Sequence, residues 1–355
     1  MPTAWKDTLD SLRTAWLGIA ESMGGSEKVP AVHPSLSGGD LELVRKRMQA
    51  CLEARGGEVS ARRRAAQLGE IYLTLSSQGR RRFLELLAKE FAADRQAVAH
   101  AATELSAAAD QKTYLAAEEN LRQILLSPRL RLLKQFTALP QGVKFLVGLR
   151  ADLLAFMAGD LALGSLDTEL RQLLATWFDV GFLECRHITW ESPAALLEKL
   201  IAYEAVHTIH SWKDLRNRLE SDRRCYAFFH PTMADEPLIF IEIALVKGIS
   251  GSIQSLLDES APEMHPERAD TAIFYSITNA QKGLRGISFG HFLIKRVVDE
   301  LRHEFPNLKN FDTLSPLPGF NRWLEQQMDE APGEEHITAL RQGVEKVAKL
   351  VGVEG

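Results

Sequence analysis

The feature that most constrains the fold is a change in hydrophobic pattern near residue 180. Before this point, apolar residues recur with the spacing of amphipathic helices. This pattern predicts an N-terminal all-α helical bundle over residues 1–178, and we interpret Ser127-Pro128 as a break in it. Helices are expected around Trp5 to Trp16 and at residues 41–55, 59–77, 79–93, 96–109, 112–126, 142–157 and 167–178.

After residue 180, short β-rich runs alternate with helical stretches. Ser192-Pro193 supplies an N-cap and a first-turn proline for one of these helices. Strands are predicted at residues 182–190, 225–229, 238–246, 271–277 and 310–314, and helices at 194–205, 211–219, 320–327 and 337–350. The predicted fold class is therefore α+β, with the helical bundle followed by a mixed α/β domain at residues 179–355.

Composition and cysteine spacing exclude several classes of protein. The net charge of −5 gives no electrostatic basis for binding nucleic acid or an anionic membrane. The most apolar run, residues 238–246, is too short to span a bilayer. Cys51, Cys185 and Cys225 share no CxxC spacing, which argues against a disulfide framework or a zinc site. We predict a cytoplasmic protein without a metal, a nucleic-acid partner or a membrane partner.

The strand at 271–277 leads into a turn that contains Gly283, Gly286 and Gly290, and a helix follows. Backbone N–H groups can converge on an anion at such a helix start. The turn matches neither the P-loop nor the Rossmann pattern. It is similar to the pyrophosphate loop of the N-acetyltransferase superfamily (GNAT), although Ser288 replaces the first glycine. The motif alone leaves a structural turn and a phosphate cradle equally open.

Ser315 is the second candidate, since it stands where a predicted strand ends and a helix begins. By local pattern it is either a turn cap or a catalytic group, and no GxSxG elbow surrounds it. None of the ten histidines belongs to a recognisable ligand motif.

Several longer segments point to one family. The sequence resembles the malonyl-CoA decarboxylase family over most of residues 180–323, and these segments stand in the family's order. They are residues 190–193 (WESP), 203–207 (YEAVH), 223–231 (RRCYAFFHP), 236–239 (EPLI), 272–277 (AIFYSI), 290–298 (GHFLIKRVV) and 314–320 (LSPLPGF).

The resemblance implies a helical domain, often used in oligomerisation, and a GNAT-like catalytic domain. It implies conversion of malonyl-CoA to acetyl-CoA and CO2 by a homo-oligomer (dimer or tetramer), without a metal or a prosthetic group. Ser315 matches the family's catalytic serine, which touches the malonyl group. The residues that match its CoA-binding segment are Arg285, Gly286, Ile287, Ser288, Phe289, Gly290 and His291.

One motif of the family has no counterpart here. The partner of the catalytic serine is a histidine in a later Phe-His-x-x-Asn-Gly-Ala motif, which this sequence does not contain. We therefore expect the GNAT-like domain to be incomplete at its C-terminus and the 355-residue chain alone to have weak or absent activity. Two alternatives stay open, namely an acyl-CoA N-acyltransferase of the same fold and a catalytically impaired CoA-binding or scaffold fragment.

Overall fold

The structure is a computed structural model that describes residues 16, 30–53, 57–287, 289, 292–317, 319–330, 338, 342 and 343. The predicted helices around Trp5 to Trp16 and at 337–350 lie almost entirely outside these residues. The predicted helical half is confirmed. Its helices are α1 (Gly39–Leu52), α2 (Gly57–Thr74), α3 (Ser77–Glu90), α4 (Arg95–Ala107), α5 (Gln111–Leu125), α6 (Pro128–Thr137), α7 (Gly142–Phe156) and α8 (Leu161–Trp177).

Two features of this half differ most from the expectation. Ser127-Pro128 does separate two helices, since α5 ends at Leu125, but the helix that follows, α6, was not predicted. The Ser127 hydroxyl accepts a hydrogen bond from the Leu130 N–H and the proline occupies the first turn, so the pair starts α6. Helix α8 begins at Leu161 rather than at residue 167, because the Asp160 carboxylate accepts the first backbone N–H groups.

A five-stranded sheet forms the second half, in the order β1-β2-β3-β4-β5. The first four strands are antiparallel neighbours, and β5 lies parallel to β4. The strands are β1 (Glu184–Ile188), β2 (Arg223–Phe229), β3 (Ile239–Val246), β4 (Thr271–Asn279) and β5 (Asn310–Thr313). The helices are α9 (Ala194–Tyr203), α10 (Trp212–Asn217), α11 (Ile253–Leu256), α12 (Phe292–Glu304) and α13 (Phe320–Glu330). The α+β fold class is confirmed.

The predicted cap of α9 is placed differently. The Ser192 hydroxyl accepts a hydrogen bond from the Thr189 N–H and closes a turn before the helix. Pro193 itself occupies the N-cap position and makes no side-chain capping bond. The proline still starts the helix, but the serine does not cap it.

The sheet has two buried faces that differ in what covers them. Its first face carries Ile241 and Phe274, which share one apolar cluster with Leu146 of α7 and Val297 of α12. The helical half and the sheet therefore share a continuous core. The second face carries Phe240 and is covered by α9 and α10. Among the described residues, no helix is both long and apolar enough to cross a membrane.

Candidate functional site

Strands β4 and β5 pair over only part of their length. Their last pair is Phe274 and Thr313, after which the Leu314 N–H donates to the Phe274 carbonyl oxygen at 2.9 Å. Strand β4 continues to Asn279, about 16 Å further at the usual rise per residue. The pairing thus stops at the carboxyl ends of two parallel strands, and the region beside the remaining edge of β4 is called here the β4–β5 cleft. Ligands of sheet proteins commonly bind at such ends.

A β-bulge in β4 lies at the closed end of this cleft, where the pairing with β5 stops. Glu242 of β3 is opposite Ser276 and Ile243 is opposite Phe274, so Tyr275 has no partner on β3. The extra residue places the side chains of Tyr275 and Ser276 on the second face together, although neighbours in a strand normally alternate. Bulges of this kind bend a strand and re-aim its side chains next to functional sites.

Beyond the bulge, β4 directs backbone donors into the cleft. The Ala280 N–H points to β3, where it bonds to the Leu238 carbonyl oxygen at 2.9 Å. Alternate residues of a strand point their N–H groups to the same side. The N–H groups of Ile277 and Asn279 therefore point away from β3 and into the cleft. Such fixed donors can stabilise negative charge on a carbonyl oxygen.

The glycine turn follows β4 directly, and the structure describes part of the predicted CoA-binding segment. Arg285 and Gly286 are exposed, and Gly286 has a φ of 78°, a conformation that favours glycine. Ile287 packs against the first-face core, and Phe289 is buried in it. Arg285 and Gly286 are thus the exposed residues of the CoA-binding segment where the structure describes it. Ser288, Gly290 and His291 lie outside the described residues.

The inner side of the turn rests on helix α7. A Cβ atom at Gly283 would overlap the Val147 carbonyl oxygen, so this close approach requires glycine. Arg150 donates hydrogen bonds to the carbonyl oxygens of Gly283 at 2.6 Å and Arg285 at 2.8 Å. Its guanidinium also donates to the Asp167 carboxylate at 2.8 Å. The helical half therefore holds the predicted CoA-binding turn in place.

A buried carboxylate lies beneath the part of β4 that follows the bulge. Both Glu204 oxygens accept hydrogen bonds from the Ser276 hydroxyl at 3.0 Å, and Thr278 donates to one of them at 3.0 Å. The N–H groups of Val206 and His207 donate to the same carboxylate at 2.8 and 2.7 Å. This set of donors satisfies Glu204 and fixes the end of α9 against β4.

A second set of buried charged residues, centred on Arg218, lies beside Glu204. The Arg218 guanidinium donates to Glu242 at 3.0 Å and to Asp214 at 2.8 Å. Arg218 and Glu242 are each 2% exposed. Burial raises the pKa of the Glu242 carboxyl to about 8, an effect that the attraction of Arg218 only partly opposes. One cation faces several carboxylates here, and this arrangement favours the form of Glu242 that carries a proton.

This proton predicts a pH dependence of stability. The pKa of Glu242 in the folded chain lies above its value in the unfolded chain, so the folded state binds more protons between these values. The free energy of unfolding should therefore fall by up to about 1.4 kcal/mol per pH unit as the pH rises through this range. Urea unfolding of the unsubstituted chain and of Glu242→Gln between pH 5 and pH 8 measures this difference. Parallel pH curves for the two proteins would contradict the prediction.

Ser315 lies one residue beyond the last hydrogen bond between β4 and β5. It is exposed, while the preceding Leu314 packs on the second face beside Tyr275. The glycine turn is at the far end of β4, so the two predicted parts of the site flank the β4–β5 cleft from opposite ends. The structure thus brings Ser315 to the bulge rather than to Arg285 and Gly286.

Several side chains around the cleft were not predicted from the sequence as parts of the site. Arg150 is 133 residues from Gly283, and Arg218 is 24 residues from Glu242. The only local sign was Glu242, a charged residue inside an otherwise apolar run. A buried strand rarely carries an acid without a buried partner, so this position could have predicted an ion pair but not the residue that forms it.

Taken together, the helical N-terminal half, the mixed sheet and the cleft beside its parallel strand pair define an α+β protein with a two-part architecture. Family models match both parts. Residues 91–178 match the model of the malonyl-CoA decarboxylase N-terminal domain, and residues 181–350 match that of the malonyl-CoA decarboxylase C-terminal domain.

Solved structures and curated proteins agree with these matches. A malonyl-CoA decarboxylase from Rhodopseudomonas palustris has a TM-score of 0.77 and 40% identity, over 83% of this chain and 71% of that one. The corresponding structure from Agrobacterium vitis has a TM-score of 0.75 and 39% identity, over 84% and 72%. The chain belongs to the malonyl-CoA decarboxylase family.

Two curated relatives are named as mitochondrial malonyl-CoA decarboxylases. The protein from Anser anser anser is 41% identical over 276 residues, which are 74% of this chain and 55% of the relative. The protein from Rattus norvegicus is 44% identical over 217 residues, which are 59% of this chain and 44% of the relative. The chain thus spans about half the length of the curated relatives it matches.

Proposed function

We propose that the chain acts as a malonyl-CoA decarboxylase, a carboxy-lyase that converts malonyl-CoA to acetyl-CoA and CO2. The observation that carries the proposal is the β4–β5 cleft, with Ser315 at its closed end and the glycine turn at its open end. An extended acyl-CoA has the same polarity, with its thioester at one end and its phosphates at the other. Membership of the family supports this choice of substrate.

The chemistry needs an electron sink and a proton. Cleavage of the bond between the α-carbon and the carboxylate releases CO2, and the electron pair moves into the thioester to form an enolate. The N–H groups of Ile277 and Asn279 would donate hydrogen bonds to the oxygen on which this charge develops. The enolate then takes a proton on carbon and becomes acetyl-CoA.

Ser315 would donate a hydrogen bond to the malonyl carboxylate or to the enolate. A serine hydroxyl is by itself a weak acid and base, so proton transfer through it needs a partner group. Because the thioester accepts the electron pair, we propose that the reaction uses neither a metal nor a prosthetic group. CoA is then part of the substrate rather than a resident cofactor.

We further propose a helical, oligomerisation-type domain at 1–178 and a GNAT-like domain at 179–355. The two family models meet between residues 178 and 181, which supports this boundary. A homo-oligomer, dimer or tetramer, and a cytoplasmic location also remain predictions. The curated relatives are named as mitochondrial, so fractionation of the source cells is the measurement that tests the location.

The function is tested by two measurements on the purified chain. Calorimetry should show CoA binding, and malonyl-CoA labelled in its free carboxyl group should release the label as CO2. CoA binding without release of the label would instead match the weak or absent activity expected from the sequence. Transfer of the intact acyl group to an amine would indicate an acyl-CoA N-acyltransferase instead. Absence of CoA binding would contradict both the decarboxylase and the N-acyltransferase function and would leave a scaffold role.

A further inference from the structure

A residue outside the C-terminal half holds the glycine turn in its orientation. Arg150 of α7 is 1% exposed, and its guanidinium reaches the carbonyl oxygens of both Gly283 and Arg285. These two bonds fix the planes of two peptide groups in the turn. A peptide group is planar and trans, so its C=O and N–H point in opposite directions.

This geometry determines where the turn presents a donor. The Arg285 carbonyl points inward to Arg150, so the N–H of Gly286, in the same peptide group, points outward. Arg285 and Gly286 are both exposed, and the outward side is therefore open to a ligand. An N–H held in this direction suits an anionic oxygen, because nothing in the turn has to reorganise when the anion binds.

An arginine suits this position better than other residues. Its planar guanidinium can donate to two carbonyl oxygens and a carboxylate at once. The Asp167 carboxylate, which accepts from the Nε atom at 2.8 Å, compensates the buried positive charge and fixes the side chain. A lysine would carry the same charge but would lack this fork, so it could not hold both peptide groups in the same way.

We propose that Arg150 is a positioning residue of the CoA site, which orients the Gly286 N–H toward the pyrophosphate of the bound nucleotide. The helical half thereby takes part in ligand binding through the inner side of the turn. This assignment rests on the proposed function, since it takes CoA as the ligand. It adds a residue from the N-terminal half to a site that the sequence placed in the C-terminal half.

The helical half offers a matched control, Arg129. Its side chain is also buried, donates to the Ala88 carbonyl oxygen at 2.8 Å and pairs with Glu169 at 2.7 Å. Arg129 thus has the same kind of partners as Arg150, but those partners lie within the helical half. Arg150→Lys and Arg129→Lys should therefore cause comparable losses of stability while differing in their effect on the turn.

Calorimetric titration with CoA tests the assignment. Arg150→Lys should raise the Kd for CoA about tenfold, the effect of one misplaced hydrogen bond to a charged group, and Arg129→Lys should leave it near the unsubstituted value. KM for malonyl-CoA should rise in parallel, with a smaller change in kcat. Urea unfolding of each variant measures the loss of stability.

A second pair of variants keeps the test decisive if either lysine variant fails to fold. Asp167→Asn removes the negative charge that pairs with Arg150, and Glu169→Gln removes the one that pairs with Arg129. Each substitution leaves the volume of the side chain nearly unchanged. An equal Kd in Asp167→Asn and Glu169→Gln, or an unchanged Kd in Arg150→Lys, would overturn the positioning role. Failure of the unsubstituted chain to bind CoA would instead overturn the proposed function and the assignment with it.

Discussion

Ser315→Ala should lower the turnover of malonyl-CoA by about 10²- to 10⁴-fold, the range that a well-placed proton-transfer or hydrogen-bonding group contributes. The hydroxyl lies at the closed end of the β4–β5 cleft, whereas the glycine turn lies at the other end. The Kd for CoA should therefore change little. Release of labelled CO2 gives the turnover, and calorimetry gives the affinity.

Ser106→Ala is a suitable control for this substitution. Ser106 is exposed on α4, and its hydroxyl only donates to a carbonyl oxygen of the same helix. This variant should keep both turnover and affinity. If Ser315→Ala lost turnover and CoA affinity to the same extent, Ser315 would have a role in binding or folding rather than in the chemical step.

The second large effect is expected at Arg218. Replacing it by methionine removes the only cation that contacts both Asp214 and Glu242 among the described residues, and it leaves buried carboxyl groups without their partner. Breaking a buried ion pair in this way costs about 3–5 kcal/mol. Urea unfolding at pH 7 should show this loss as a lower midpoint with an unchanged slope.

Arg122→Met provides the comparison on the surface. Arg122 pairs with Glu118 one helical turn away and is 67% exposed. Exposed pairs of this type contribute less than about 1 kcal/mol, so this variant should be nearly as stable as the unsubstituted chain. A loss for Arg218→Met no larger than that for Arg122→Met would show that the buried group does not stabilise the fold.

The order of the elements could be predicted from the sequence, since each depends on local pattern. The strand predicted at 238–246 is β3, whose residues are nearly all buried and therefore form a continuous apolar run. The helix predicted at 142–157 is α7, within one residue at its end. Helix α6 was not predicted, because a serine followed by a proline both ends one helix and starts the next, and only the end was recognised.

The cleft could not be predicted in the same way. It depends on where the pairing of β4 with β5 ends, and no residue in either strand marks that point. The role of Ser315 came from the resemblance to a family, because its local pattern alone favours a turn cap. Arg150 lies in a helix whose pattern shows only a core-facing stripe, and its contacts with the turn form only when both halves pack together.

In β4, the bulge at Tyr275 separates the pairing pattern of the strand from the local shape of its backbone, two properties that usually depend on each other. On either side of Tyr275 the side chains alternate regularly between the first and the second face, and the two stretches share one alternation once this residue is set aside. A strand that lacked Tyr275 could keep Phe274 in the core and Ser276 against Glu204. Tyr275 is therefore an insertion that the fold does not need for pairing, and it alters the backbone where the cleft begins. In β4, the architecture of the sheet and the shape of its cleft can thus vary independently.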